Sequence, residues 1–279
     1  MIQPLINFLK IIRWKNVLIY LFLQFTLYFV IIKKDFNWTD GWFFLVFAMT
    51  FFGIFGNIQN NLTDYQVDRH KKEFVPFNQT IYLIWMLIFL VLAFLFAFTG
   101  FYMSFKPNLL YVVVSVPVLL SFYNYYLKKI ALAGNIIIAF LTALAIYIPL
   151  FFSKDIHIAP NIFIFLLTMS FALTLLRELA KDLEDMPFDR QAGYQTLPVI
   201  NEDFSRVLLG LLSVGMLVLM CYFKTTFNSH SYGILLLLSI IFVIVSFWLL
   251  YKKQYEWLTK LYKFWMLIGI IAVIFIAKV

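Results

Sequence analysis

The chain has 279 residues, of which 63% are hydrophobic and only 13% are charged. Soluble globular domains are about 45–50% apolar and about 25% charged, so this composition excludes an ordinary water-soluble fold. The net charge of +8 at pH 7 is spread over loops between apolar stretches. Topology and anionic lipid headgroups account for it, so we expect a membrane protein that contacts lipid and has no nucleic-acid partner.

Long apolar runs, separated by charges, Pro or Gly, recur from one end of the chain to the other. A transmembrane helix needs roughly 20 mainly apolar residues to cross a hydrocarbon core about 30 Å thick. The sequence therefore predicts an all-α bundle of about nine transmembrane helices, with residues 1–279 forming one membrane domain. The predicted spans are 16–32, 42–62, 80–100, 108–126, 133–153, 160–180, 204–223, 232–251 and 259–277.

The distribution of Lys and Arg predicts the orientation of these spans. With a cytoplasmic N-terminus, sixteen of the basic residues lie on the cytoplasmic side and six on the other side. An excess on the cytoplasmic side is what the positive-inside rule describes. We therefore expect a multi-pass protein of the plasma (inner) membrane with a cytoplasmic N-terminus.

Acidic residues are scarce, yet eight of the fourteen fall in two segments. The first segment follows the second predicted span, and its polar residues recur at three- and four-residue steps, which place them on one face of a helix. These residues are Asn57, Asn60 or Asn61, Asp64 and Asp68.

The second acidic segment follows the sixth predicted span. Asp182, Asp185 and Asp189 recur at positions i, i+3 and i+7. They also share a helix face, provided that the helix continues past Pro187, a residue that commonly ends a helix. Carboxylates stacked in this way repel one another unless a cation lies among them.

Magnesium suits both acidic segments. Mg²⁺ prefers oxygen ligands and usually binds through one or two carboxylates plus substrate phosphates. Two carboxylate clusters on the same side of the membrane can hold a diphosphate between metal ions. The alternative is that each cluster is a solvated loop whose acids balance nearby Lys and Arg. That reading explains either cluster alone, but it explains the pair poorly.

At these residues the sequence resembles the UbiA superfamily of membrane prenyltransferases. The first family motif, Asn-Asp-x-x-Asp-x-x-x-Asp, is matched by Asn60, Asn61, Asp64 and Asp68, and the second, Asp-x-x-Asp-x-x-x-Asp, by Asp182, Asp185 and Asp189. Further matches are Arg13-Trp14-x-Asn16, Tyr123 to Lys129 with Gly134-Asn135, and Gly193-x-x-Thr196-Leu197-Pro198. The chain departs from the family at Asn61, where Asp is usual, and at residues 71–78, where a basic, Pro-containing loop is reduced.

The resemblance implies an enzyme that uses Mg²⁺ to transfer a prenyl group from a polyprenyl diphosphate to a lipophilic acceptor. Positive charge at the metal site would stabilise the leaving diphosphate. The expected metal ligands are Asn60, Asp64, Asp68, Asp182, Asp185 and Asp189, and the five carboxylates among them are the expected catalytic residues. The expected diphosphate-binding residues are Asn57, Asn60, Asn61, Lys72, Tyr123, Lys128 and Lys181.

Two of these lysines have structural alternatives. Lys128 and its neighbour Lys129 are placed to anchor the fourth predicted span at the membrane interface. Lys181 has the spacing to pair with Glu178 or Asp185 along its own helix. Each lysine therefore has one functional and one structural interpretation.

The acceptor is indicated only by a finer resemblance. The segments 177–185 and 193–198 resemble most the subgroup that alkylates geranylgeranylglyceryl phosphate, which implies a geranylgeranyl-type donor. An aromatic-acceptor prenyltransferase of quinone biosynthesis is the alternative within the family. A cation-coupled transporter is the alternative from another class, although carriers usually bind near the midplane and often have repeated halves. We predict no obligate protein partner.

Overall fold

A computed structural model of the protein describes residues 2–32, 41–65, 78–104, 108–152, 160–227 and 229–276. Within these ranges the chain is helical and has no strand, which confirms the all-α prediction; one isolated parallel bridge pairs Ile130 with Gln195. Asp68 and Lys72, which the sequence assigns to the site, lie outside the described residues.

Helices cover each of the predicted spans in large part. The described α-helices are α1 Ile2–Ile11, α2 Trp14–Thr26, α3 Gly41–Thr63, α4 Gln79–Ser104, α5 Asn108–Tyr125, α6 Ala133–Phe152, α7 Pro160–Gln191, α8 Leu197–Ile200, α9 Glu202–Phe223, α10 His230–Tyr251 and α11 Tyr255–Ile276. A π-helical segment, Leu27–Ile32, extends α2, and a 3₁₀ turn, Leu127–Lys129, follows α5. Helices suit a lipid environment because they satisfy their own backbone polar groups.

Six helices in the described part of the chain are long and apolar enough to cross a membrane, namely α3, α4, α7, α9, α10 and α11. Their outward faces are strongly apolar; on α10, for example, Leu237 and Ile244 are each 63% exposed. Such faces are suited to lipid tails, so the protein is a multi-pass membrane protein. The count of nine spans and the orientation of the N-terminus stay predictions.

The chain forms two compact units. The first unit contains the described residues within 1–25, 34–127 and 147–156, and it carries the first acidic segment. The second unit contains those within 26–33, 128–146 and 157–279, and it carries the second acidic segment. Each unit therefore carries one of the two predicted acidic segments.

In the first unit, α3 packs closely against α4. Gly100 permits this approach, because a Cβ there would lie 2.7 Å from the Leu45 side chain and 2.9 Å from the Gly41 carbonyl oxygen. Further along the same pair of helices, the ring of Phe96 lies 5.2 Å from that of Phe51 and 6.0 Å from that of Phe47. These offset and edge-on ring contacts stabilise the helix that leads to the first acidic segment.

In the second unit, α7 packs against α9 and α11. Leu176, Leu179 and Leu183 are each 1% exposed, so the helix is anchored on its apolar side up to the acidic segment. Because these leucines recur at three- and four-residue steps, they occupy one face of α7. The carboxylates of the second acidic segment therefore lie on a well-packed helix.

Candidate active site

The first acidic segment lies at the C-terminal end of α3. The helical backbone continues to Asp64, whose N–H donates to the carbonyl of Asn60 at 2.9 Å. Asn60 is buried at 8% exposure, while Asp64 is half-buried. The two side chains are one helical turn apart and share a face, as the spacing predicts.

Asn57 and Asn61 both reach the end of α1. The Asn57 Nδ2 donates to the Ile12 carbonyl at 3.0 Å, and the Asn61 Nδ2 donates to the Ile11 carbonyl at 3.1 Å. The next residue, Arg13, has φ of 55° and starts the corner between α1 and α2. Sequence analysis missed this structural role, because the two amides bind a segment about 45–50 residues away. Their predicted contacts with a diphosphate stay a prediction.

A second amide network lies behind the first segment and joins α3 to α5. Asn124, which is 1% exposed, donates through Nδ2 to the Gly56 carbonyl and to the Gln59 Oε1, both at 3.0 Å. Gln59 in turn donates to the Ser121 hydroxyl at 3.1 Å. Polar residues inside an apolar span are costly unless paired, which is the sequence signal that could have identified Asn124. The network fixes the stretch of α5 that carries the predicted site residue Tyr123.

In the second unit, α7 continues through Pro187 to Gln191. Asp182, Asp185 and Asp189 therefore lie on one uninterrupted helix, and the condition on which their shared face depended is met. The proline removes one backbone donor but does not end the helix.

Asp182 is held by a residue at the start of α6. The Nδ2 of Asn135 donates to the Asp182 Oδ2 at 2.8 Å, and Asn135 is only 7% exposed. A hydrogen bond from a buried amide fixes one carboxylate oxygen and leaves the other available as a ligand. From the sequence, Asn135 is identified only as a family match, and this bond is not predicted.

Asp189 is held by the chain that follows α7. The hydroxyl of Thr196 donates to the Asp189 Oδ2 at 3.2 Å, and the Tyr194 N–H donates to the Asp189 carbonyl at 2.9 Å. The chain reverses at Gly193, whose φ of 73° is readily adopted by glycine. Asp189 and Thr196 are both buried, at 8% and 3% exposure. This reversal brings Thr196, the last residue of the Gly-x-x-Thr match, into contact with Asp189, the last of the three carboxylates on α7.

Basic groups accompany the second segment. The Lys181 Nζ lies 3.6 Å from the Asp185 Oδ2, so one of the structural pairings anticipated for Lys181 is present. Arg177 pairs with Glu178 at 3.1 Å on the same helix. The side chain of Lys181 is 37% exposed and that of Asp185 is 18% exposed, so the pair is partly covered.

The segment with Lys128 and Lys129 lies beside the chain that follows α7. The Gln195 N–H donates to the Lys129 carbonyl at 2.9 Å, and the Lys129 Nζ lies 5.6 Å from the centre of the Tyr194 ring. Lys128 is half-buried in the same 3₁₀ turn. Two segments more than 60 residues apart in sequence are thus brought together near Asp189.

The carboxylates fit magnesium that binds together with a phosphate substrate. Among the described residues, no group of three His, Cys, Asp or Glu side chains is arranged to hold a metal ion by itself. The carboxylate oxygens of Asp64, Asp182 and Asp185 are nonetheless the donors that Mg²⁺ prefers. Because Mg²⁺ usually takes only one or two protein carboxylates and completes its shell with phosphates and water, a full protein cage is not required.

Comparisons with known proteins identify the family of the chain. A model of the UbiA prenyltransferase family matches residues 20–268, which is most of the chain. The digeranylgeranylglyceryl phosphate synthase of Methanothermobacter thermautotrophicus is 32% identical over 149 residues. That alignment covers 52% of this chain and 50% of the relative, so the matched part spans half the relative's length.

Solved structures share the fold. A structure described as giving insights into digeranylgeranylglyceryl phosphate synthase in membranes has a TM-score of 0.73 at 24% identity, covering 99% of this chain and 100% of that one. A UbiA homologue from Archaeoglobus fulgidus, bound to GPP and Mg²⁺, has a TM-score of 0.68 at 15% identity, covering 98% and 100%. These likenesses establish a UbiA-like helical fold.

Proposed function

The chain belongs to the UbiA prenyltransferase family and is an enzyme that transfers prenyl groups, and from this premise we propose that it moves a geranylgeranyl-type group onto a lipophilic acceptor, geranylgeranylglyceryl phosphate. The observation that supports the proposal is the carboxylate ladder of α7, which consists of Asp182, Asp185 and Asp189. Three carboxylates on one continuous helix are supported by hydrogen bonds from Asn135 and Thr196. We propose that residues 1–279 act as a single prenyltransferase domain.

The two acidic segments divide the binding of the diphosphate between them. Asn60, Asp64 and Asp68 would hold one magnesium ion, and Asp182, Asp185 and Asp189 would hold a second, directly or through water. When bound, magnesium supplies positive charge to the diphosphate as it leaves. Support comes from the A. fulgidus homologue, which is described as bound to GPP and Mg²⁺.

The lysines contact the diphosphate directly. Lys128 and Lys72 present compact positive charges, and Lys181 exchanges its 3.6 Å contact with Asp185 for a phosphate oxygen. Asp185 would then be one of the carboxylates that hold magnesium. Asn57 and Asn61 are further candidates for diphosphate contacts through N–H groups that α1 does not use.

The reaction breaks the bond between C1 of the donor and its diphosphate oxygen and joins C1 to the acceptor hydroxyl oxygen. The hydroxyl proton passes to solvent or to the departing diphosphate. Tyr123 would offer an aromatic face to the allylic cation that develops at C1. Lipid tails outside the bundle supply the apolar surroundings that the prenyl chains require, and the reaction takes place on the cytoplasmic side of the plasma membrane.

The choice of acceptor rests on the curated relatives. The M. thermautotrophicus relative and three others carry the name digeranylgeranylglyceryl phosphate synthase. A glycerol-phosphate lipid brings its own phosphate, which a site rich in Lys and Mg²⁺ attracts. An aromatic acceptor of quinone biosynthesis is the second candidate, since the described residues mark no acceptor pocket that excludes it.

The experiment is transfer by the purified full chain with Mg²⁺, geranylgeranyl diphosphate and a panel of acceptors, followed by mass spectrometry. We expect product on geranylgeranylglyceryl phosphate, loss of product with EDTA, and loss of product in the Asp185→Ala variant. Product on an aromatic acid alone would replace the acceptor. Folded protein that consumes no donor with any acceptor would overturn the proposed function.

A further inference from the structure

The side-chain amide of Asn61 donates a hydrogen bond that a carboxylate could not donate. Asn61 donates its Nδ2 hydrogen to the carbonyl oxygen of Ile11 at 3.1 Å. An aspartate of the same shape has no hydrogen to donate at neutral pH, and its negative oxygen would face the carbonyl oxygen. The residue that departs from the family motif is therefore the residue that this contact requires.

Asn57 makes the matching contact one turn earlier. Its Nδ2 donates to the Ile12 carbonyl at 3.0 Å, so two amides at i and i+4 on α3 bind two consecutive carbonyls at the end of α1. The last carbonyls of a helix have no partner within that helix, and buried ones are costly if left unpaired. The pair of amides, which we term the amide clamp, consists of Asn57 and Asn61.

The clamp acts on a strained corner. Arg13 has φ of 55°, a left-handed conformation that is unfavourable for a non-glycine residue. Local hydrogen bonds turn the chain, from the Arg13 N–H to the Lys10 carbonyl at 3.0 Å and from the Asn16 N–H to the Arg13 carbonyl at 2.8 Å. Strain of this kind persists where the surrounding structure holds it in place.

Apolar packing fixes the same corner from its other side. Ile11 and Ile12 are 4% and 9% exposed and belong to one cluster with Ile54 and Ile58 of α3 and Tyr82 of α4. The side chains of the corner are thus buried against α3 while its carbonyls are bound by the clamp. Apolar packing and hydrogen bonds therefore both join this corner to α3.

We propose that Asn57 and Asn61 are positioning residues that lock the α1–α2 corner to the metal-binding end of α3, and that Asn61 is not itself a metal ligand. The inference deepens the proposed function and rests on it. It leaves Asn60, Asp64 and Asp68 as the magnesium ligands of this segment. It also explains why the site can bind magnesium without a negative charge at position 61.

The test compares Asn61→Asp with Asn61→Ala, and with Asp64→Asn as the matched control. Two quantities are measured on purified full-length protein: hydrogen exchange of the backbone over residues 8–17 without magnesium, and the Mg²⁺ concentration that gives half-maximal thermal protection by geranylgeranyl diphosphate. We expect both Asn61 variants to exchange faster over residues 8–17, with half-maximal Mg²⁺ changed less than about twofold. Asp64→Asn should leave the exchange unchanged and raise half-maximal Mg²⁺ about tenfold, equivalent to about 1.4 kcal/mol.

A further variant separates positioning from space filling. Asn61→Ala should lose protection over residues 8–17 and should transfer more slowly. Asn61→Gln keeps an amide donor, so we expect it to restore part of both the protection and the transfer rate relative to Asn61→Ala. The isosteric Asn61→Asp should restore neither. If Asn61→Asp does not fold, the pair of Asn61→Ala and Asn61→Gln decides the question.

Opposite results would overturn the inference. If Asn61→Asp lowered the half-maximal Mg²⁺ concentration and left exchange over residues 8–17 unchanged, Asn61 would occupy a ligand position. Wild-type protein with no response to Mg²⁺ and diphosphate would instead contradict the proposed function. The exchange data would still report on the clamp in that case, so the two failures are distinguishable.

Discussion

The two acidic segments are held in place by hydrogen bonds to different kinds of acceptor. In the first unit, the polar bonds of Asn57 and Asn61 go to backbone carbonyls and fix the helix that carries Asp64. In the second unit, Asn135 and Thr196 bond directly to the Asp182 and Asp189 carboxylates. One segment positions its backbone and the other positions its ligand atoms. Substitutions of these hydrogen-bonding residues should therefore have different effects in the two units.

The largest expected effect is at the carboxylate ladder. Asp182→Ala removes a proposed ligand whose charge would support the leaving diphosphate, and we expect the transfer rate to fall about 10²–10³-fold. Initial rates at saturating donor and Mg²⁺ measure the effect. Glu202→Gln is the control, because this acid belongs to neither motif and pairs with Lys253 at 2.9 Å. A ladder variant with near-normal rates would contradict the assigned role.

The next effect is at the amide that holds the ladder. Asn135→Ala leaves Asp182 in place without its 2.8 Å hydrogen bond. Loss of a partner that orients a metal ligand typically costs about 10–100-fold in metal affinity or activity. The Mg²⁺ dependence of transfer should shift to higher concentration, and unchanged Mg²⁺ dependence would show that the bond serves folding alone.

A smaller effect is expected at Thr196. Thr196→Val keeps the shape of the side chain but removes the hydroxyl that donates to Asp189, so we expect a loss of about 1 kcal/mol in stability. Thermal unfolding in detergent measures it. Thr225→Val is the control, since Thr225 is exposed and bonds only a nearby carbonyl; equal losses in both variants would argue against a special role for Thr196.

An effect of similar size is expected at the chain reversal. Gly193→Ala places a side chain at φ of 73°, and we expect a loss of about 1 kcal/mol or slightly more. Gly215→Ala, in α9 with open space around its Cβ position, should be neutral or slightly stabilising. If both variants melt at the wild-type temperature, the reversal tolerates a side chain and does not constrain Asp189.

Sequence reasoning predicted features that depend on neighbours along the chain. The apolar runs predicted the helices, and the spacing of Asp182, Asp185 and Asp189 predicted a shared face because helix periodicity is local. Pro187 does not end the helix, because α7 continues to Gln191. Local patterns sufficed here because each helix must satisfy its own backbone in lipid.

Features that depend on tertiary contacts were not predictable in the same way. The bond from Asn135 to Asp182 joins residues 47 positions apart, and the clamp on Ile11 and Ile12 spans a similar distance. No periodicity links such pairs. The one available signal was the cost of placing an amide in an apolar helix, which marks a residue as paired but does not identify its partner.

Thermal protection by an unreactive analogue of geranylgeranyl diphosphate tests the proposal that magnesium and a diphosphate bind at the two acidic segments. A ligand at 100 times its dissociation constant stabilises the folded state by about 2.7 kcal/mol. We expect protection only when Mg²⁺ and the analogue are both present, and we expect it to be lost in Asp64→Asn and in Asp182→Asn alike. Full protection without Mg²⁺, or in either variant, would contradict the proposal.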